Sequence, residues 1–226
     1  MYKNLYFFLL LFSINTATTA QTILQALQLK NDSIGEYFES ELAANDTLID
    51  IRNGYYEEFM SWGANNHSTI RQAAIFHNDD GTRTLGISIT TWDFACLDYK
   101  TTFYEIARSK NQITIIPNRE LLPILRKSEF VMGTEILTIL RKYIPGVRDN
   151  APNAAAALET LLAQFYQIIY RQPRIGTALI ATLGFCEYLP DSLGDITEDE
   201  WTILENGFGT IELRYDRTAK QFQKEK

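Results

Sequence analysis

The sequence predicts an α+β fold, an antiparallel β-meander sheet covered by amphipathic helices, and three observations carry that expectation. Between Thr69 and Pro117 short apolar runs alternate with polar reversals. Within one such run Leu85, Ile87 and Ile89 share a face while Gly86, Ser88 and Thr90 share the other, the two-residue period of a half-buried strand. Helix-spaced apolar stripes lie on both sides of this region, and these segments are the available lids for a sheet with one greasy face.

From the amino end, Lys3 precedes the uncharged apolar run Leu5–Phe12, and Thr18-Thr19-Ala20 places small residues where a signal peptidase reads. Residues 1–20 are therefore expected to be a signal peptide cleaved after Ala20. A retained membrane anchor is the alternative, but the run is well short of the roughly 20 residues that span a bilayer. Ile23, Leu24, Leu27 and Ile34 then fall near helical spacing, and a second helix is expected over Ile34–Ala44, with Asp32 or Ser33 as its N-cap. Leu48–Arg52 and Tyr55–Met60 flank Asn53-Gly54, a strong short-range hairpin signal, although a helix starting at Tyr55 also fits. Ser61–Ser68 is read as a polar loop.

In the meander, Arg71–His77 and Leu85–Trp92 are expected to pair across Asn78-Asp79-Asp80-Gly81, with Asp80-Gly81 supplying positive φ angles. Thr102–Ala107 and Gln112–Ile116 repeat the pattern across Arg108–Asn111. Pro123 interrupts Arg119–Lys127, and a helix is expected over Glu129–Ile144, ended by Pro145-Gly146. Asp149–Pro152 is the best candidate boundary. It divides a first part, 21–148, from a second, 149–226, with both expected to pack as one globular unit. Ala154–Tyr170 reads as the strongest helix and Ile175–Tyr188 as a strand. Thr197 and Glu200 have capping-box spacing for a helix ended by Gly207, and Ile211–Gln223 forms a last hairpin. A strand ending in Cys followed by a hairpin occurs in each half, which fits either two related α+β halves or chance similarity.

Composition narrows the function. The chain has 226 residues, 46% hydrophobic and 22% charged, with a formal charge of -7. That balance argues against holding nucleic acid through phosphate neutralisation, and no run beyond the leader could insert the mature chain into a membrane. Cys96 and Cys186 are the two cysteines and would meet an oxidising compartment, so they either form a bridge or remain buried thiols.

Catalytic signatures are weak, and no catalytic residue is assigned. His67 and His77 are the two imidazoles, and neither stands in a recognisable nucleophile–base pattern. Zinc spacings and phosphate-binding glycine loops are absent from the sequence, so no metal or cofactor is expected. Among the acidic groups, Asp191, Asp195, Glu198, Asp199 and Glu200 read better as a solvated, capped helix start than as calcium ligands. Glu57 and Glu58 sit among Tyr55, Tyr56, Phe59 and Trp62, the mixture of acid and flat rings that a sugar site uses, though a half-buried hairpin has the same composition. Trp92 and Phe94 either form a small aromatic platform or fill core. Tyr55, Glu57, Glu58, Trp62 and Trp92 are the candidate binding residues. The expected function is that of an exported, periplasmic or secreted, non-catalytic module binding a protein or a glycan. A small hydrolase of glycan or peptide, or an inhibitor or immunity-type protein for a basic partner, are the alternatives.

Overall fold

The computed structural model describes residues 23–32, 46–62, 67–93, 96–108, 112–143, 154–185 and 196–225. The expected leader, the helix expected over Ile34–Ala44, the boundary at Asp149–Pro152 and the Cys96–Cys186 bridge lie outside the described residues or side chains.

Six strands follow one another as an antiparallel meander: β1 (Asp46–Asp50), β2 (Tyr55–Trp62), β3 (His67–His77), β4 (Arg83–Asp93), β5 (Cys96–Ile106) and β6 (Ile113–Ile116). The Asn53-Gly54 signal does produce a hairpin, not a helix. Leu48 pairs with Glu57, and Gly54 takes the left-handed conformation at φ 63° that a side chain resists. At the β3–β4 turn Gly81 alone takes a positive φ, 82°. Asp80 contributes differently: its Oδ1 accepts from Thr82 N at 2.9 Å and Thr82 Oγ1 at 2.7 Å, closing the turn through a side chain. The loop expected over Ser61–Ser68 gives up both ends to strand, because the ladder continues through Ser61–Ser68 and Trp62–His67 pairs.

A second antiparallel sheet, in the order β10-β9-β8-β7, comes from the other half of the chain. It comprises β7 (Tyr166–Arg171), β8 (Ala178–Phe185), β9 (Ile211–Asp216) and β10 (Gln221–Lys224). Here the sequence expectation is corrected. The helix over Ala154–Phe165 stops five residues short of the Tyr170 expected, and Tyr166–Arg171 is strand β7 paired with β8. Two isoleucines between two tyrosines suit a pleated surface better than a helix, and pairing with β8 decides it. A second correction concerns Glu129–Ile144. Lys127–Phe130 is a 3₁₀ turn, Val131 bridges to Phe208, and the helix begins only at Thr134, beyond Gly133.

The two faces of the meander have different covers. Helix α1 (23–32) lays Ile23, Ala26 and Leu27 on the face formed by Tyr56, Ala73, Ile75, Leu85, Ile87, Tyr104 and Ile106. The opposite face, Tyr55, Ala74, Phe76 and Phe103, meets not a helix but the second sheet, through Leu179, Leu213, Tyr215 and Phe222. Phe222 stands edge-on to Phe76 at 5.1 Å and lies 5.6 Å from Phe103, so aromatic contacts weld the sheets. Each such fully buried ring or leucine contributes on the order of 1.5–3 kcal/mol. Helix α2 (Asn118–Leu121), α3 (Thr134–Tyr143), α4 (Ala154–Phe165) and α5 (Glu198–Asn206) add Leu121, Ile136, Ile139, Leu140, Leu162 and Leu204 to the same core. α5 carries the expected capping box between Thr197 and Glu200 and ends at Gly207.

Strand β7 is an edge, and side chains occupy three of its backbone groups, Tyr166 O, Tyr170 N and Tyr170 O. The Tyr99 hydroxyl donates to Tyr170 O and accepts from Tyr170 N, and Ser88 Oγ donates to Tyr170 O at 2.7 Å. At the other end Lys127 Nζ donates to Tyr166 O. An edge closed in this way is a poor template for a further strand.

Candidate functional site

Alternation along β2 decides where each acidic side chain goes. Tyr55 and Glu57 point toward the second sheet, while Tyr56 and Glu58 point toward the α1 face. Glu57 lies opposite Gln72 in the ladder. Its Oε2 accepts two hydrogen bonds of 2.6 Å, one from the Tyr55 hydroxyl and one from Gln72 Nε2. Burial pushes the Tyr55 hydroxyl well above its ordinary value, with Glu57 adding to the shift, so it remains a donor. Glu57 Oε1 has no hydrogen-bond partner among the described residues. One oxygen is fixed, and the other is left to accept.

That carboxylate lines a groove of about 530 Å³ between the two sheets. The meander contributes Glu57, Ile70, Gln72, Thr90 and Trp92, and the second sheet and its flank add Ile169, Arg171, Thr182 and Phe208. Gln72 ties the walls together, because its Oε1 accepts from Gln172 N at 3.3 Å while its amide nitrogen holds Glu57. Trp92 is 36% exposed, so its ring is available on the groove wall. A cavity of this size, largely preformed and with few polar groups at set positions, has the character of a small-ligand site.

The remaining candidates separate from this groove. Glu58 is buried on the opposite face, 3.6 Å from Arg71 Nη1. Its neighbour Tyr56 is pushed up to about 12 by burial, with Glu58 adding to the shift. Glu57 and Glu58 therefore cannot flank one scissile bond, and the paired-carboxylate arrangement of a glycosidase is not formed by them. The Trp62 side chain lies outside the described residues. His77 borders a second, smaller hollow of about 330 Å³ with Arg52, Asn53, Thr177 and Arg217. Burial and the nearby Arg83 and Arg217 hold its imidazole below the usual range, so it is neutral at pH 7. Its side chain makes no hydrogen bond to a hydroxyl or thiol among the described residues. Among those residues no three His, Cys, Asp or Glu side chains gather as metal ligands. No helix among them is long and apolar enough to cross a membrane.

Gln72, Arg171, Thr182 and Phe208 are absent from the sequence-based set. Arg171 and Thr182 come from β7 and β8, and the periodic signal across Tyr166–Arg171 reads as helix until its pairing with β8 is known. Comparison with known proteins finds no matching family model and no matching curated protein. A solved structure described as "Structure of a domain of an uncharacterized protein from Porphyromonas gingivalis W83" aligns with 90% of this chain and 98% of its own. Sequence identity is 11% and the TM-score 0.47. The functional reading rests on the geometry of the groove.

Proposed function

We propose that this is an exported, acidic, non-catalytic binding module whose ligand lies in the groove between the two sheets. The observation that carries the reading is the Glu57 carboxylate, with Oε2 held by Tyr55 and Gln72 and Oε1 left without a partner among the described residues. A carboxylate oriented by two donors on its inner oxygen is preorganised to receive a donor on its outer one. The His77 imidazole makes no hydrogen bond to a hydroxyl or thiol among the described residues, which supports binding without turnover, and the His67 side chain lies outside them. Export rests on the leader read at residues 1–20.

Two measurements test this. Mass determination of the protein recovered from outside the cytoplasm should give a chain starting at Gln21. Titration of isotope-labelled protein with panels of short peptides and oligosaccharides should shift the amides of Glu57, Gln72, Trp92 and Thr182 together, without conversion of the ligand. Turnover of any panel member that Glu57→Ala abolishes would overturn the non-catalytic reading.

A further inference from the structure

The groove carries two opposite charges that do not satisfy one another. The Arg171 side chain lines it from β7 and makes no hydrogen bond or ion pair among the described residues, while Glu57 lines it from β2 with one oxygen open. The two are close in the fold: the Gln72 side chain bonds Glu57 at one end and the backbone of Gln172, the residue after Arg171, at the other. Ile70, Ile169, Phe208 and Trp92 line the same groove. An acceptor and a guanidinium that share a groove with apolar side chains are complementary to a ligand that carries a cation, an anion and apolar groups.

We infer that the groove binds a short peptide segment, with a basic group of the ligand on Glu57 Oε1, a carboxylate of the ligand on Arg171, and apolar side chains against the apolar lining. This rests on the groove being the ligand site. A neutral glycan would satisfy the hydroxyls of Thr90 and Thr182 and could stack on Trp92, but it would leave Glu57 and Arg171 without countercharges. A guanidinium also matches a carboxylate in bidentate fashion, which suits a peptide acid better than a sugar hydroxyl.

The test uses the blocked tetrapeptide Lys-Leu-Leu-Glu, its analogues with norleucine for lysine or glutamine for glutamate, and cellotetraose. Each is titrated by calorimetry and amide shifts into wild type, Glu57→Gln and Arg171→Gln. Wild type should bind the parent peptide with groove amides shifting, and each substitution should weaken it by about tenfold or more, the scale of one charge-assisted hydrogen bond. The norleucine analogue should bind wild type and Glu57→Gln equally, and the glutamine analogue should bind wild type and Arg171→Gln equally, since each pair has lost the same contact. Arg171 is exposed, so its substitution leaves the core intact and keeps the test valid if Glu57→Gln loosens Tyr55. Equal affinity for parent and uncharged analogues, or groove shifts with cellotetraose and none with peptide, would overturn the peptide inference while leaving the groove as the ligand site. Absence of groove shifts with every probe would remove the groove reading, and this inference with it.

Discussion

The Tyr215 hydroxyl donates to Asn78 Oδ1 at 2.8 Å, joining a turn of the meander to a strand of the second sheet. Asn78 Nδ2 reaches Thr84 Oγ1 at 3.3 Å, and Thr84 and Tyr215 lie 2.8 Å apart, so three buried polar side chains close a ring. Outside this ring the two hairpin tips are tied by ions. Lys220 bonds Asp80 at 2.7 Å and Glu105 at 2.9 Å, while Arg217 lies 3.4 Å from Asp79. The buried ring is the part whose loss matters most, because its members have no water to replace a missing partner. Tyr215→Phe is expected to destabilise the fold by about 1–3 kcal/mol, the cost of leaving buried groups unpaired. The urea midpoint should fall with an unchanged slope, and adding Asn78→Ala should cost less than it does alone. Full additivity of the two substitutions would rule out the ring as a unit.

Gly86 is a contact between the sheets rather than a flexible joint. A Cβ there would stand 2.6 Å from Gln172 Oε1, and Gln172 is buried with its Nε2 donating to Ser88 Oγ at 3.0 Å. Gly86→Ala should push Gln172 away and destabilise by about 1–3 kcal/mol, as overpacking does. Because Gln172 N also holds Gln72, the displacement should reach the groove and shift the Gln72 and Glu57 amides. Trimming the glutamine in Gly86→Ala/Gln172→Ala should restore part of the stability. If the double variant is worse by the sum of both single losses, the close approach is not the cause.

How much of this architecture was legible in the sequence depends on the range over which each decision is made. Asn53-Gly54 and Thr197 with Glu200 specify their hairpin and helix start from four residues each, and both form as read. Tyr166–Arg171 does not decide locally. Its apolar residues extend the α4 stripe, and only pairing with β8, whose first residue is Ala178, makes it a strand. The cover over the meander was read as helical for the same reason. One face does receive α1, but the other receives a sheet, assembled from segments whose partners lie elsewhere in the chain. Glu57 and Trp92 could be singled out because acid beside aromatic is visible locally. Arg171 and Thr182 join them only after the two sheets meet.

Glu200 links α5 to α3 and gives the fold a sensitivity to acid. The hydrogen bond from Lys142 Nζ at 2.8 Å holds its carboxyl down to about 2, helped by the Tyr143 hydroxyl at 2.6 Å and by Thr197. A carboxyl whose value is lowered by folding stabilises in full above its unfolded value and loses that contribution as pH falls toward the folded one. For Glu200 the window runs from its ordinary value of 4.5 down to about 2. Stability measured by urea between pH 6 and pH 2 should therefore decline less steeply in Glu200→Gln than in wild type. The variant should start lower at pH 6, having lost the ion pair with Lys142, while its amide oxygen can still accept from Thr197 N. Parallel curves for the two proteins would show that Glu200 does not titrate with the fold.

The two neighbouring carboxylates of β2 should respond to substitution in opposite ways. Glu58 is 5% exposed beside Arg71, itself 19% exposed, in a directly paired position of β2 and β3. Removing one member of a buried pair leaves the other charge without compensation, a loss of about 3–5 kcal/mol when both are fully buried. The 3.6 Å separation and the partial exposure of Arg71 reduce the expectation for Glu58→Leu to about 2 kcal/mol. Substituting Arg71→Leu as well should recover most of that loss, since the pair is then replaced by apolar packing. Peptide affinity should stay within about twofold of wild type in both variants, because the altered face is covered by α1 and does not reach the groove. Glu57→Gln should show the reverse profile, with a small shift in the urea midpoint and about a tenfold loss of affinity. The ladder register alone demands this division: adjacent residues of a strand cannot face the same ligand, so Glu58→Leu weakening the peptide while Glu57→Gln leaves it unchanged would place the site on the wrong face.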